Sequence, residues 1–333
     1  MEAELPETLN YTSDDDPGIS RKGAGKGFAY YDPDGGLICD DEVKARLNSL
    51  AVPPAYHDVW FAVDPRGHLQ ATGIDEAGRK QYRYHSEWSD WRQSLKFDSL
   101  LEFGKALPGL RASVRYQLAG EGFGKDRILA AVVRLLDRTA ARIGNEAYYQ
   151  ENGTSGLTTL RDRHVETEDG HLLLSYTAKG GEDREFDLYQ PKLAEIVQDL
   201  QELPGQRLFQ FRESGRWVAL TSGHVNEWIK EKSGLDASAK DFRTWHASEM
   251  TLETLSNFQQ GETQKERIAQ EKEALLKTSH ELGHRPPVCR KHYVHPEILK
   301  KHRAGTLDFP GGKELNGLSR SENELLSFLE ALA

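Results

Sequence analysis

The stretch that decides the fold is Lys125-Asp-Arg-Ile-Leu-Ala-Ala-Val-Val-Arg-Leu-Leu-Asp-Arg-Thr-Ala-Ala-Arg-Ile143. Its large apolar residues recur at the spacing of one helix face. They are Ile128, Val132, Val133, Leu135 and Leu136. We therefore predict a core helix over this stretch, ending in Arg142-Ile-Gly-Asn145.

The chain on the carboxyl side of this helix is mainly helical in pattern. A short β insertion comes first, with strands at His171–Thr177 and Arg184–Leu188 joined across Lys179-Gly-Gly-Glu182. Helical periods then follow at 191–203, 222–232, 241–258, 262–282 and 320–332, with a loop at 304–317. A further helical stretch, Trp88–Phe103, precedes the core helix.

The chain on the amino side has the pattern of β-structure. Runs such as Phe28-Ala-Tyr-Tyr31 and Val59-Trp-Phe-Ala-Val63 are separated by Asp-Pro-x-Gly turn signals. Residues 1–26 are acidic and lack hydrophobic periodicity, so we expect a flexible tail there. The fold class is α+β, with a small, mostly antiparallel β domain at residues 27–90 and a larger, mainly helical domain with the β insertion at residues 91–333.

Composition limits the possible classes of protein. The 333 residues carry a net charge of −10, which repels nucleic acid unless the basic residues are segregated on one surface. They are segregated: residues 78–96 hold five bases against two acids, and residues 284–303 hold six bases against Glu297. No apolar run reaches the ~20 residues of a membrane span. Cys39 and Cys289 form no CxxC spacing, and no secretory signal is evident, so we expect a cytoplasmic protein.

A single tyrosine, Tyr293, lies among basic residues in Leu282-Gly-His-Arg-Pro-Pro-Val-Cys-Arg-Lys-His-Tyr-Val-His-Pro296. The arginines, lysine and histidines of this stretch are donors that suit a phosphate. A phenol becomes a useful nucleophile only where cations favour its oxyanion or a neighbouring group takes its proton. The alternative is a half-buried tyrosine on a solvated basic helix.

Three other elements carry cations that suit the same site. Arg142 ends an apolar helix, where a guanidinium is costly unless it meets an anion. Lys179 lies at a Gly-Gly hairpin tip, from which an ammonium can enter and leave a site. Lys240 and Arg243 lie near a helix N-terminus, where anions are favoured. Each element alone is a weak indication.

Taken in chain order, these residues resemble the catalytic set of type IB DNA topoisomerases, and most of all the short bacterial and poxvirus enzymes. The set is Arg142, Lys179, the Lys-x-x-Arg of Lys240 and Arg243, and His284 nine residues before Tyr293. Further matching segments are Pro53–Tyr56, Gly67–Gly73, Gly78–His85 and Gly156–Val165. The resemblance covers about Gly27 to Arg303.

The resemblance implies a reaction in which Tyr293 attacks a DNA phosphodiester and forms a 3′-phosphotyrosyl link. Arg142, Arg243 and His284 would donate to the non-bridging oxygens, Lys179 would protonate the departing 5′-oxygen, and Lys240 would support proton transfer. Relaxation of positive and negative supercoils would then need no ATP, no metal and no other cofactor.

The resemblance also implies how the protein meets double-stranded DNA. Gln81, Tyr82 and Tyr84 match major-groove contacts of the family, on a strand whose period puts Lys80, Tyr82 and Tyr84 on one face and Arg79, Gln81 and Arg83 on the other. Arg290 and Lys291 add phosphate contacts beside Tyr293. We expect the two domains to close on the duplex as a clamp, and the protein to be a monomer without a protein partner, in the cytoplasm on the nucleoid.

Three alternatives remain at this point. Tyrosine recombinases use a similar residue set, but they typically have a histidine in place of Lys240 and a helical DNA-binding domain. His280-Glu-Leu-Gly-His284 has the HExxH spacing of zinc peptidases, although Pro286 and Pro287 stop the helix just beyond it. A DNA-binding protein without chemistry is the third.

Overall fold

The computed structural model describes residues 5–25, 27–308 and 314–333. The chain divides into two units, Met1–Lys96 and Phe97–Ala333, and each unit has its own hydrophobic core. The boundary lies six residues beyond the position expected from the sequence, residue 90. The α+β class is confirmed.

The amino-terminal unit is built on a five-stranded antiparallel sheet. Its elements are β1 (Ile19–Ala24), β2 (Gly27–Tyr31), α1 (Asp41–Ser49), β3 (His57–Phe61), β4 (Leu69–Ile74) and β5 (Lys80–Tyr84). The strand order is β2-β1-β3-β4-β5, so β5 is an edge strand. Leu47 of α1 packs with Phe61 and Ala71 of the sheet in the core of this unit.

The prediction of a flexible tail over residues 1–26 is wrong for Ile19–Ala24. This segment is β1, which pairs with β2 on one side and with β3 on the other. Its sequence is polar except for Ile19 and Ala24, because the strand is held mainly by backbone hydrogen bonds and only Ile19 enters the core. A hydrophobic period was therefore absent from the sequence.

Helix α2 spans Ser86–Leu118 and is longer than the predicted Trp88–Phe103. Leu107, Leu110 and Val114 continue the buried stripe past Phe103, and Pro108 lies inside the helix. The core helix follows as α3 (Lys125–Thr139), whose apolar positions are buried as predicted.

The remaining elements of the carboxyl-terminal unit follow in chain order. They are α4 (Glu146–Asn152), β6 (Val165–Glu168), β7 (His171–Ala178), β8 (Glu182–Tyr189), α5 (Pro191–Gln201), β9 (Gln210–Glu213), β10 (Arg216–Ala219), α6 (Ser222–Ser233), α7 (Ala239–Ser256), α8 (Gln264–Leu282), α9 (Pro286–His292), α10 (Pro296–Ala304) and α11 (Arg320–Glu330). Helix α3 packs against α6, α7 and β9 of this unit. The β7–β8 hairpin confirms the predicted insertion. Of the predicted loop at 304–317, residues 309–313 lie outside the described residues.

A buried ion-pair network holds the last helix to this core. Arg111 of α2 donates to both Asp137 of α3 and Glu322 of α11, and Trp245 of α7 donates to Glu322. Burial alone would raise the pKa of Glu322, but the hydrogen bonds from Arg111 and the Ser319 amide outweigh it and lower the pKa to about 2. Within the described ranges, no helix has the length and apolarity needed to cross a bilayer.

Candidate active site

Arg142 lies in a loop just beyond α3. The sequence placed it at the helix end, but α3 stops at Thr139 because Ala140 adopts the left-handed conformation, with φ 48°. The guanidinium Nη2 of Arg142 donates to the carbonyl of Gly283 at 2.7 Å and lies 3.1 Å from Nδ1 of His284. Burial lowers the pKa of Arg142.

The Arg142 loop is held by a close backbone approach. The amides of Leu157 and Thr158 donate to the carbonyls of Arg142 and Ile143 at 3.0 and 2.8 Å. A Cβ atom placed on Gly156 would lie 2.5 Å from the nitrogen of Gly144. Glycine at position 156 therefore allows the loop to reach its position.

Arg243 is the most buried cation of the site, with 4% of its surface exposed. It lies in the first turns of α7, where the hydroxyl of Ser238 caps the helix. Its Nη2 donates to the carbonyl of Leu282 at 2.8 Å, and Nη1 donates to the carbonyl of Ala140. Burial lowers the pKa of Arg243 to about 10, so the guanidinium stays charged at neutral pH.

His284 lies between the two arginines, just after the left-handed Gly283 that ends α8. Its Nε2 is 2.7 Å from Nη2 of Arg243, opposite the contact with Arg142. Burial and the two guanidinium charges lower the pKa of His284 to about 3, so the ring is neutral. A neutral imidazole has one donor and one acceptor, so only one of the two arginine contacts is a hydrogen bond at a time.

Tyr293 covers this cluster from the end of α9. Its ring stacks on His284 with the centroids 4.6 Å apart, and the Arg243 guanidinium carbon lies 5.2 Å from the Tyr293 ring centroid. The carbonyl of Tyr293 accepts a hydrogen bond from Ser248 of α7 at 3.2 Å. The tyrosine is half-buried, but it packs on the cationic cluster, in contrast to the solvated-helix alternative.

Lys179 approaches the cluster from the β7–β8 hairpin tip. Gly180 and Gly181 form the turn with φ of 93° and 76°, and Nζ of Lys179 lies 4.7 Å from the ring centroid of Tyr148. Lys240 is exposed in the first turn of α7.

One cavity brings all six predicted catalytic side chains together. Its volume is about 460 Å³ and it is open to solvent. It is lined by Arg142, Ile143, Lys179, Ala239, Lys240, Arg243, His284, Val288 and Tyr293. Among the residues that the structure describes, none that lines it carries a carboxylate, so the cavity suits an anion.

The predicted DNA-contact residues lie outside this cavity, near β5 and on α9, and several of them have protein partners. On β5, Lys80, Tyr82 and Tyr84 share an exposed face, and the two tyrosine rings stack 6.1 Å apart. Arg79 and Gln81 both donate to Asp75, each at 3.0 Å, while Arg83 donates to the carbonyl of Ala51 at 3.3 Å. On α9, Arg290 pairs with Glu271 at 3.5 Å, and Lys291 is exposed.

The structure argues against the zinc-peptidase alternative. Helix α8 ends at Leu282, so His284 is outside the helix and does not share a face with His280. Both ring nitrogens of His284 face arginines. Among residues 5–25, 27–308 and 314–333, no group of three or more metal-ligating side chains is present.

Two contributors to this site were missed in the sequence. Tyr148 of α4 provides the ring beneath Lys179. Arg184 of β8 reaches the end of α8 through two backbone carbonyls. Bonds to backbone carbonyls leave no trace in a sequence, because any residue offers that acceptor.

Comparison with known proteins identifies the class. Residues 85–307 match the family described as eukaryotic DNA topoisomerase I, catalytic core, and residues 27–75 match bacterial DNA topoisomerase IB, N-terminal domain. These matches are to enzymes that act on DNA. The chain belongs to the type IB DNA topoisomerase family.

Viral relatives agree with this assignment. The chain is 30% identical to DNA topoisomerase 1B of Acanthamoeba polyphaga mimivirus over 304 residues, which cover 86% of this chain and 90% of the relative. It is 22% identical to DNA topoisomerase 1B of vaccinia virus over 255 residues, 74% of this chain and 75% of the relative. DNA topoisomerase I of monkeypox virus matches to the same extent.

Proposed function

We propose that this topoisomerase relaxes positive and negative supercoils by transient cleavage of one DNA strand, with Tyr293 as the nucleophile. The observation that carries the proposal is the single cavity where Tyr293 meets Arg142, Arg243 and His284. The phenol of Tyr293 loses its proton to solvent water, because the neighbouring guanidinium charges favour the phenolate, and the phenolate oxygen attacks phosphorus. This forms a 3′-phosphotyrosyl bond and breaks the bond to the 5′-oxygen.

Arg142, Arg243 and His284 offer hydrogen-bond donors to the non-bridging phosphate oxygens, where negative charge develops in the transition state. Arg142 and Arg243 are held by backbone carbonyls, so their positions are set before DNA binds and little reorganisation is needed. His284 donates from Nε2 when its Nδ1 accepts from Arg142. A phosphate oxygen beside Nε2 then accepts from His284 and from Nη2 of Arg243, whose guanidinium keeps its bonds to the carbonyls of Ala140 and Leu282.

Lys179 protonates the departing 5′-oxygen, with Lys240 supporting proton transfer across the cavity. The reaction exchanges one phosphate ester for another, so no ATP is consumed on cleavage or religation. The three cationic and neutral donors stabilise the phosphorane without a metal ion or another cofactor.

DNA contacts outside the cavity are proposed from residue type and exposure. Tyr82 and Tyr84 present aromatic edges on β5 to the major groove, with Arg79, Lys80, Gln81 and Arg83 beside them. Arg290 and Lys291 contact phosphates near Tyr293. Closure of the two units around the duplex, a monomeric state without a protein partner, and a cytoplasmic, nucleoid-associated location remain predictions.

Plasmid relaxation tests the proposal. Purified protein in EDTA without ATP should relax positively and negatively supercoiled plasmid, and Tyr293→Phe should not. Tyr116→Phe is the matched control, because Tyr116 is 78% exposed on α2, and it should relax plasmid normally. Relaxation by Tyr293→Phe, or a requirement for magnesium or ATP in the wild type, would refute the proposed chemistry.

A further inference from the structure

Arg184 joins two elements of the active site that are distant in sequence. It lies on β8, opposite Tyr176 of β7 and five residues beyond Lys179. Its Nη1 donates to the carbonyl of His280 at 2.9 Å, and its Nη2 donates to the carbonyl of Glu281. These carbonyls end α8, where a cation is favoured by the helix dipole.

The same helix end carries the phosphate cluster. Gly283 lies between the two arginines: a Cβ atom placed there would be 3.4 Å from Nη1 of Arg184 and 3.5 Å from Nη1 of Arg142. Arg142 holds the Gly283 carbonyl, Arg243 holds that of Leu282, and Arg184 holds those of His280 and Glu281. The turn that presents His284 is thus fixed from both sides.

The hairpin needs such an anchor if Lys179 is to act. Lys179 precedes two glycines with positive φ, and a two-stranded tip with a glycine turn bends easily. The guanidinium of Arg184 also packs over Phe186, with 4.9 Å to the ring centroid, so its own position is restrained.

We propose that Arg184 is a positioning residue that fastens the Lys179 hairpin to the His284 turn, so that the acid and the phosphate cluster meet the same phosphodiester. This inference rests on the proposed function. Arg184 does not touch the phosphate. It sets where the proton of Lys179 is delivered when the bond from phosphorus to the 5′-oxygen breaks.

Single-turnover cleavage tests the inference with two DNA substrates. One has the normal 5′-oxygen at the scissile bond and the other has sulfur there, which leaves as a thiolate and needs no proton. We expect Arg184→Ala to slow cleavage of the oxygen substrate by roughly 10²-fold, within the usual range for lost general acid catalysis, and the sulfur substrate to restore the rate. Lys179→Ala should behave in the same way, and the double variant should be no slower than Lys179→Ala.

Each outcome separates the two claims. Arg184→Ala that is slow on both substrates, or slow on neither, overturns the positioning role. If the sulfur substrate does not restore the cleavage rate of Lys179→Ala, Lys179 is not the general acid of the proposed function, whatever the result for Arg184. Arg184→Lys keeps the charge and reaches fewer carbonyls, so it should show a smaller defect with the same rescue, which decides the matter if Arg184→Ala does not fold. Arg216→Ala, at the exposed first residue of β10, is the matched control and should cleave normally.

A second observation, in the amino-terminal unit, concerns the DNA-contact face of β5. The carboxylate of Asp14 pairs with Nζ of Lys80 and accepts a hydrogen bond from Thr72 at 3.0 Å. In the sheet, Thr72 is the direct partner of Tyr82. Asp14 therefore occupies the face that carries Lys80 and Tyr82.

The chain around Asp14 is fastened to the sheet at several points. Tyr11 stacks on His68 with 4.5 Å between ring centroids. The hydroxyl of Thr12 donates to the carbonyl of Leu69 at 2.9 Å and accepts from its amide at 3.2 Å. These contacts place the acidic run Asp14–Asp16 beside β4 and β5, upstream of the residues 27–75 that match the family's amino-terminal domain.

We infer that Asp14 is an internal competitor of DNA for Lys80. A DNA phosphate at Lys80 must either displace this carboxylate or bind beside a like charge, so the segment weakens binding to DNA that lacks other good contacts. The pair is partly exposed, with 45% of the Lys80 side chain and 16% of the Asp14 side chain accessible. Such pairs contribute little free energy in solvent, so a DNA phosphate can compete with the carboxylate.

Equilibrium binding of the full chain to a duplex, followed by fluorescence anisotropy over a range of salt concentrations, tests this inference. Asp14→Asn should bind the duplex several-fold tighter at low salt, because Lys80 is then available to a DNA phosphate. The gain in affinity should decrease as the salt concentration rises. Asp34→Asn makes the same charge change in an exposed turn and should bind like the wild type. The gain should vanish in Asp14→Asn combined with Lys80→Gln.

The results separate two claims: that Asp14 competes with DNA for Lys80, and that β5 contacts DNA at all. Unchanged binding by Asp14→Asn, with weaker binding by Lys80→Gln, overturns the competitor and keeps the interface. An equal gain from Asp34→Asn shows a general charge effect and also overturns it. If Lys80→Gln binds like the wild type, the proposed DNA face on β5 is itself wrong and the competitor fails with it.

Discussion

Replacing Gly156 by alanine should slow DNA cleavage without touching any group that meets DNA. The new Cβ would lie 2.5 Å from the nitrogen of Gly144, 2.6 Å from its Cα and 2.7 Å from the carbonyl oxygen of Arg142. All three are backbone atoms, so no side chain can turn away. The loop of Arg142 must move, and its guanidinium moves with it.

The size of the effect follows from the cost of overpacking. One extra methyl group in a tight site costs about 1–3 kcal/mol. If that cost falls wholly on the cleavage transition state, the rate drops by about 5- to 150-fold, since each 1.36 kcal/mol is a factor of ten. If part of this cost also destabilises the folded protein without DNA, that part lowers the free energy of unfolding instead of the cleavage rate. The sum of the two losses should therefore be about 1–3 kcal/mol.

Single-turnover cleavage with excess enzyme, together with denaturant unfolding, measures both parts. Gly109→Ala is the matched control, because a Cβ atom there meets nothing within 4 Å and Gly109 lies inside α2. It should cleave normally and gain about 0.5–1 kcal/mol of stability. Wild-type cleavage and wild-type stability in Gly156→Ala would refute the close-approach argument.

Two further predictions concern stability. Glu322→Gln should cost about 1.5–3 kcal/mol in denaturant unfolding, because Arg111 keeps Asp137 but loses its charged hydrogen bonds to Glu322. A loss below ~0.5 kcal/mol would show that this network contributes little to holding α11. His295 is 8% exposed and burial lowers its pKa to about 4, below its unfolded value near 6.5. The unfolded state therefore binds more protons, so stability should fall as the pH drops from about 6.5 to 4, by up to about 3 kcal/mol. His284, with a pKa of about 3, contributes to the same fall, so His295→Asn should remove only the share of His295, and an unchanged slope would show that His295 contributes nothing to it.

Local patterns predicted much of the fold. The buried stripe of α3 and the β7–β8 hairpin with Lys179 at its tip followed from apolar period and glycine pairs, because both depend on neighbours in sequence. The end of α3 did not follow. Alanine at position 140 adopts the left-handed conformation, which sequence rules reserve for glycine or asparagine. That difference moved Arg142 from a helix into a loop.

In the candidate site, too, features set by the local sequence were predicted and features set by tertiary structure were not. Residue types and order were enough to select six side chains that line one cavity, but their supports were not visible. Arg184 and Gly156 act through backbone carbonyls and backbone packing, which depend on tertiary structure. Asp14 was assigned to a flexible tail because an acidic run without apolar period gives no sign of the sheet that holds it.

The most direct test of the account is to identify the residue that carries DNA during cleavage. Protein mixed with duplex DNA in EDTA should be quenched with denaturant, digested and analysed by mass spectrometry. We expect a nucleotide attached through its 3′-phosphate to the peptide containing Tyr293, and no adduct in Tyr293→Phe. An adduct on another side chain, or attachment through a 5′-phosphate, would contradict the mechanism.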